Sequence, residues 1–252
     1  MDNFDDILNQ LRDSSGDLKA NMHMLNEIVP VEEQIKYFQY SKRIQSDKTK
    51  DVFDKHFLIA RLFTPEVDVE DKRYYLTCLA GLIDIAAYRA IETYHKSPLE
   101  SELANWSALA LVESRILLDS ELSGEKQFFV STGLGGRDGK LRFFSVLASK
   151  DRMDFTEFQS EMILRELQFS FECNKIEMEK IEVKNNYVKM FILCDLNHNA
   201  RKAIENVVKE CNELGEFLDT KFIITNIKYI EDHEIENLLN KQNSNDTDSP
   251  VI

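Results

Sequence analysis

The chain has 252 residues and a formal charge of −14, with 43% apolar and 10% aromatic residues. At roughly 100–200 residues per domain, that length suits one large domain or two small ones, and the apolar content excludes wholesale disorder. Eight glycines and four prolines exclude collagen-like and low-complexity chains.

The opening MDNFDDILNQLRDS is acidic and has neither a basic nor an apolar leader region, so no secretory signal is expected. Phe4, Ile7, Leu8 and Leu11 recur at helical spacing, and Val31, Ile35 and Phe38 form a second stripe after Pro30. The polar run Ser41 to Lys50 reads as a mobile connection. A third helix is predicted over 52–63, with Phe53, Phe57, Ala60 and Leu62 or Phe63 near one face and Thr64-Pro65 as its stop. Two longer helices follow, over 69–95 and 98–122, the second opened by Ser97-Pro98. Both are apolar around most of their circumference, which predicts an antiparallel hairpin buried among the other helices. Their most apolar stretches, 76–91 and 103–118, are too short and too charged to span a membrane.

After Ser123-Gly124 the side-chain period changes from 3.6 to 2. Strands are predicted over 126–134 and 141–149 around the turn 135–139, then a helix over 155–171 with Phe158, Met162, Ile163, Leu167 and Phe171 inward and Asp154 as cap. A second hairpin, 176–183 and 187–195, precedes a helix over 199–214 ended by Gly215, and a last strand over 222–230. Val188, Met190, Ile192 and Cys194 give one strand a face for the helices. Its other face, Tyr187, Lys189, Phe191 and Leu193, needs a cover, for which the helical half is the obvious candidate.

The predicted fold class is therefore α+β. Residues 1–124 read as a helical domain, 125–230 as a ββαββαβ sheet domain with two helices on one face, and 231–252 as an acidic, largely disordered tail. From its second strand onward the order resembles that of ferredoxin-like plaits, and the ββαββα run is loosely similar to small acidic secretion-chaperone folds; a pseudo-repeat of two ββα units is the other arrangement of the same elements. In a plait the first strand already has two neighbours, so a hairpin partner at 126–134 competes for an occupied slot. Net charge follows the division: −8, −1 and −5 for the three segments.

Signals for chemistry are few. The stretch Gly133-Leu-Gly-Gly-Arg-Asp-Gly-Lys140 lacks the glycine spacing, the hydroxyl after lysine and the following helix that a phosphate cradle needs, and reads as a hairpin turn. Glu92-Thr-Tyr-His95 has the E-x-x-H spacing of di-iron bundles, but the nearest second copy, Asp195-Leu-Asn-His198, lies at a strand–helix junction, so no metal or cofactor is expected. The four cysteines are far apart and read as reduced thiols in a cytoplasmic protein. A spatially assembled Ser-His-Asp group is left open, with no local signature in its favour.

Asp84, Arg89, Glu113 and Arg115 are charges inside apolar helical patterns. They mark either polar stripes and ion pairs or a polar pocket between hairpin and sheet that binds a ligand. Arg137 and Lys140 at the turn, with Tyr187 and Phe191 on a strand, are candidate partner contacts. The acidity, the absence of catalytic signatures and the polar tail favour a non-catalytic cytoplasmic protein-interaction module, an adaptor, assembly factor or chaperone-like partner, over a small-molecule-binding or enzymatic domain. Nucleic acid is disfavoured by the net charge despite the strand aromatics Phe143, Phe144, Tyr187 and Phe191. A homodimer is expected if an apolar sheet face stays uncovered.

Overall fold

Capping residues set most of the element boundaries. Asp68 accepts a bond from the Glu70 amide (2.8 Å) and Asp84 one from the Ala87 amide (3.0 Å), so two helices begin where the apolar periodicity alone predicts one. The computed structural model describes residues 22–46, 54–125 and 127–245. Their contacts divide the chain into two units, 1–132 and 133–252.

The first unit contains strand β1 (Met22–Met24), helices α1 (Val31–Ser46), α2 (Lys55–Leu62), α3 (Val69–Ala80), α4 (Ile85–Lys96) and α5 (Ala104–Ser123), and strand β2 (Phe128–Val130). Leu25, Val29, Tyr37, Leu62, Leu76, Leu79, Ile91, Leu103 and Leu109 form its core. The helix expected over 69–95 is broken at 81–84, because Gly81 caps α3 and Asp84 opens α4. Ser97 closes α4 rather than opening the next helix, and a 3₁₀ turn (Ser101–Leu103) leads into α5. Residues 41–46 continue α1 instead of forming a mobile connection. Ser41 is buried, bonded to Glu113. The helix expected around Phe4 to Leu11, residues 47–50 of the connection, and Phe53 of the third helix lie outside the described residues.

Strand β2 pairs in parallel with β1, Met22 opposite Phe128. It therefore belongs to the helical unit and is no hairpin partner of the sheet. That removes the competition for a slot that the sequence raises, and moves the division from 124 to 132.

The second unit contains β3 (Gly136–Arg137), β4 (Lys140–Ala148), α6 (Glu157–Cys173), β5 (Glu177–Val183), β6 (Tyr187–Asp195), α7 (Ala200–Glu213), β7 (Ile223–Thr225) and α8 (Asp232–Asn245). The antiparallel sheet runs β4-β6-β5, and the free edge of β4 is shared end to end by β3, opposite 140–141, and β7, opposite 144–146. Asp138 and Gly139 both have positive φ (52° and 79°), as a two-residue hairpin turn between β3 and β4 requires. At Gly133 a side chain would meet the Ile227 carbonyl oxygen at 1.5 Å, so only glycine lets these two backbones approach.

Helices α6 and α7 cover one sheet face, burying Met162, Ile163, Leu167, Ile204 and Val207 against Val188, Met190, Ile192 and Cys194. The cap of α6 is Thr156, in a capping box with Gln159, rather than Asp154, and Phe158, expected inward, is exposed in the first turn. On the opposite face Leu134, Phe144, Val146, Ala148 and Tyr187 pack against Ile230, Ile235 and Leu239. The cover that this face needs comes in part from α8. The acidic tail is thus helical over 232–245, and the expected disorder at 246–249 lies outside the described residues.

Candidate functional site

Alternation along β4, β5 and β6 places Lys140, Arg142 and Phe144, then Tyr187, Lys189, Phe191 and Leu193, on the face opposite α6 and α7. Charge and aromatic groups are sorted along it. At the end where Lys140 opposes Asp195, Arg142 makes a two-pronged bond to Glu179 (2.5 and 3.0 Å) and donates to the Leu134 carbonyl (2.7 Å). Arg137 pairs with Glu177 and Glu179, and Lys140 lies 3.4 Å from Glu177. The bond from Arg142 holds the Glu179 carboxyl below its ordinary value against the opposing effect of burial.

The middle of the face is aromatic. Phe144 and Phe191 are directly opposed on β4 and β6, with ring centroids 5.1 Å apart. Tyr229, following β7, meets Phe144 edge-on at 5.0 Å and stacks on Phe191 at 5.6 Å with 22° between the planes. Phe144 is buried, whereas Phe191 and Tyr229 are half-buried and line a shallow cleft of about 20 Å³, room for one water, with Lys180, Glu182 and Lys189. Lys180, opposite Phe191 on β5, is exposed and has no ion pair among the described residues.

At the far end Lys189 is buried. Its ammonium bonds Asp232 and lies 3.4 Å from both Glu182 Oε2 and Tyr229 Oη. Burial opposes its charge, but the bonds to Asp232 and Tyr229 outweigh that and raise its pKa. Burial, reinforced by Asp232, pushes the Tyr187 hydroxyl up to about 12, and the Lys189 bond holds Asp232 below the usual carboxylate range. Chemically the cleft offers half-buried ring surface, one exposed cation at its rim and a charge-paired ammonium at its back.

The residues singled out in the sequence are placed differently from the pocket expected of them. Asp84 caps α4 and pairs with Lys55. Glu113 accepts from Tyr37 Oη (2.5 Å), Ser41 Oγ (2.6 Å) and Gln45 Nε2 (2.8 Å), tying α5 to α1. Arg89 is exposed and pairs with Glu92, and Arg115 donates to Tyr88 Oη (2.8 Å). Only Arg89 and Arg115 come together, over the Tyr88 ring. Arg137, Lys140 and Tyr187 are engaged within the sheet unit, and Phe191 alone of the four partner candidates lines the cleft. Lys180, Lys189, Tyr229 and Asp232 were missed. Alternation puts Lys180 and Lys189 beside Phe191, but nothing local links them to Tyr229 or Asp232, roughly 40 positions downstream.

His95 bonds Ser107 Oγ (3.1 Å) and Glu27 Oε1 (3.0 Å), a Ser-His-Glu line. Ser107 is fully buried and also donates to the Ala104 carbonyl, so it joins elements rather than presenting a nucleophile. No group of three or more His, Cys, Asp or Glu side chains suited to a metal ion occurs among the described residues. The cysteines are free thiols, and burial pushes Cys194 and Cys211 up to about 11. No helix of the described residues is long and apolar enough to cross a membrane. A larger open groove, about 1200 Å³, lies beside α7, where Lys150 pairs with Glu216 and Arg152 with Asp219.

No protein-family model and no curated protein matches the chain. Two solved structures are similar to parts of it. One is described as a "putative transposase" from Deinococcus radiodurans R1 (15% identity, 42% of this chain, 90% of that one, TM-score 0.33). The other is a REP-associated tyrosine transposase bound to a REP hairpin (11% identity, 39% of this chain, 62% of that one, TM-score 0.32). These findings correct two expectations, that the chain is a non-catalytic protein-interaction module and that nucleic acid is a disfavoured partner. The error lay in using net charge, which averages over surfaces that a polyanion never touches. At TM-scores this low neither neighbour's activity carries over, and a functional reading rests on this chain's own site.

Proposed function

We propose that the sheet-bearing unit binds single-stranded nucleic acid, with an unpaired base stacked on the Phe191–Tyr229 pair and its phosphate at Lys180. The observation that carries this reading is the stacked, half-buried ring pair beside an exposed lysine with no ion pair. Ring faces take any base, and a neighbouring cation supplies the phosphate contact, which is how strands are held without sequence readout. In this reading the protein works in the cytoplasm, and the helical unit is a separate domain.

Fluorescence anisotropy at low salt tests it, using a labelled single strand, a hairpin with an unpaired loop, and a blunt duplex. The single strand and the hairpin should bind more tightly than the duplex. Phe191→Ala should weaken binding by the ~1–3 kcal/mol that one stacked base contributes. Lys180→Gln should flatten the salt dependence. Equal binding of all three nucleic acids, or none at low salt, would sink the reading.

A further inference from the structure

Along β6, Tyr187, Lys189 and Phe191 stand two residues apart on the face opposite α6 and α7, a ring, a cation and a ring about 7 Å from one to the next. Phe191 is half-buried, but Tyr187 and Lys189 are only 4% and 8% exposed. Helix α8 lies over both. Its Ile235 and Leu239 pack in the cluster that contains Tyr187, and its Asp232 bonds Lys189. The same acidic turn engages the neighbouring cations, with Asp232 3.8 Å from Lys184 Nζ and Glu234 2.7 Å from Lys228 Nζ. The apolar hold of α8 is small: Ile235 and Leu239 are the buried residues over 232–240, whereas α7 buries six.

We infer that α8 is a displaceable cover over a second segment of the single-strand site: when it lifts, a second base stacks on Tyr187 and the phosphate between the two bases passes to Lys189. The inference rests on the stacking reading and extends its one-base contact to a track along β6. With α8 docked, the cleft beside Phe191 and Tyr229 measures about 20 Å³, room for one water, so nothing larger reaches Lys189 from that side. The Asp232 carboxylate stands where the phosphate would. Exchanging one anion for the other keeps Lys189 paired in both states, so no buried charge is left alone at any cost in stability. Helix and strand therefore compete for the same cations, and the apparent affinity is the intrinsic one scaled by the fraction of molecules in which α8 is lifted.

Hydrogen exchange on the full chain tests this, with and without a saturating single-stranded oligonucleotide. Binding should speed exchange at the α8 amides and slow it in β6, while α6 and α7 keep their protection. In anisotropy titrations Ile235→Ala/Leu239→Ala, which loosens the apolar hold, should bind the strand several-fold more tightly than the wild type. Asp232→Asn/Glu234→Gln, which keeps that hold and frees the lysines, should also gain affinity. Wild-type exchange at α6 and α7 in each variant checks that the sheet unit is still folded. If the strand leaves α8 exchange unchanged or slower, α8 is no cover and the inference falls, while the stacking reading stands on the loss that Phe191→Ala causes. If neither the wild type nor either variant binds the strand, the stacking reading falls and the inference with it.

Discussion

The two units treat buried polarity in opposite ways. In the helical unit Lys72 has no exposed surface and bonds Glu100, which also accepts from Tyr94, while Gln34 donates to the Val29 and Thr132 carbonyls. In the sheet unit the layer between the strands and α6 and α7 holds no buried charge among the described residues, and its polar ties are hydroxyls, Ser145 donating to the Ile223 carbonyl and Ser170 to the Ala203 carbonyl; Lys189, on the opposite face, is the one buried charged side chain of that unit among the described residues. Packed helices have no repeating backbone ladder to fix their mutual register, and buried polar ties select one arrangement among many similar packings. A sheet has its register set by strand pairing and can leave one side free of such ties. The half-buried rings and the exposed Lys180 lie on the opposite face, which α8 covers only in part.

Breaking the comparison at its strongest point means removing the Lys72 cation. Lys72→Met leaves Glu100 half-buried without its partner and should cost about 3–5 kcal/mol, read from denaturant unfolding. Trp106 is the sole tryptophan and packs on Tyr37 and Tyr40, so its fluorescence reports the helical unit. Lys72→Met/Glu100→Gln should recover part of the loss; a double variant no better than the single one would show that the tie adds nothing. In the sheet unit Ile192→Ala should cost about 2–5 kcal/mol through the cavity it opens in a fully packed layer. A loss no larger than that of Phe191→Ala on the half-buried side would deny that the two faces differ.

A smaller effect comes from the Arg142–Glu179 pair. Because Arg142 holds the folded-state Glu179 pKa below its ordinary 4.5, the pair stabilises above about pH 4.5, and that stability is lost as pH falls through the folded value. Glu179→Gln should therefore remove about 1–2 kcal/mol at pH 7 and flatten the acid side of the stability profile between pH 5 and 3. An unchanged slope would place the pair among inert surface contacts. The smallest effect is expected at Arg89 and Arg115. Both are exposed, so reversing either charge should leave the melting temperature unchanged, contrary to the cost of a buried charge that their apolar helical setting implies.

Legibility differed by element for physical reasons. Strand β6 was read to the residue, since alternation of Val188, Met190, Ile192 and Cys194 with Lys189 and Phe191 follows directly from a pleat with unlike faces. Helix α7 was found within a residue at each end for the analogous reason, Asn199 and Gly215 flanking a clean apolar stripe. The break between α3 and α4 was missed because Asp84 was read as a charge to be buried rather than a cap, and a cap is recognised only once the backbone turns. The β2 assignment failed because Phe-Phe-Val specifies a strand without naming a partner, and the partner lies about a hundred residues upstream. Of the cleft, Phe191 was legible. Tyr229 reads from periodicity as the last residues of a strand, although β7 ends at Thr225.

By itself the sequence determined the α+β class, the switch of side-chain rhythm past residue 124 and the apolar face that α6 and α7 cover, all of which depend on neighbours within a few positions. Only the tertiary structure decided which strand closes the edge of β4, that α8 lies on the second face, that Lys180, Lys189, Phe191 and Tyr229 share one cleft, and that Asp232 bonds Lys189. Those outcomes depend on contacts between residues far apart in the chain, where loop closure and packing choose among partners that local propensity leaves equivalent.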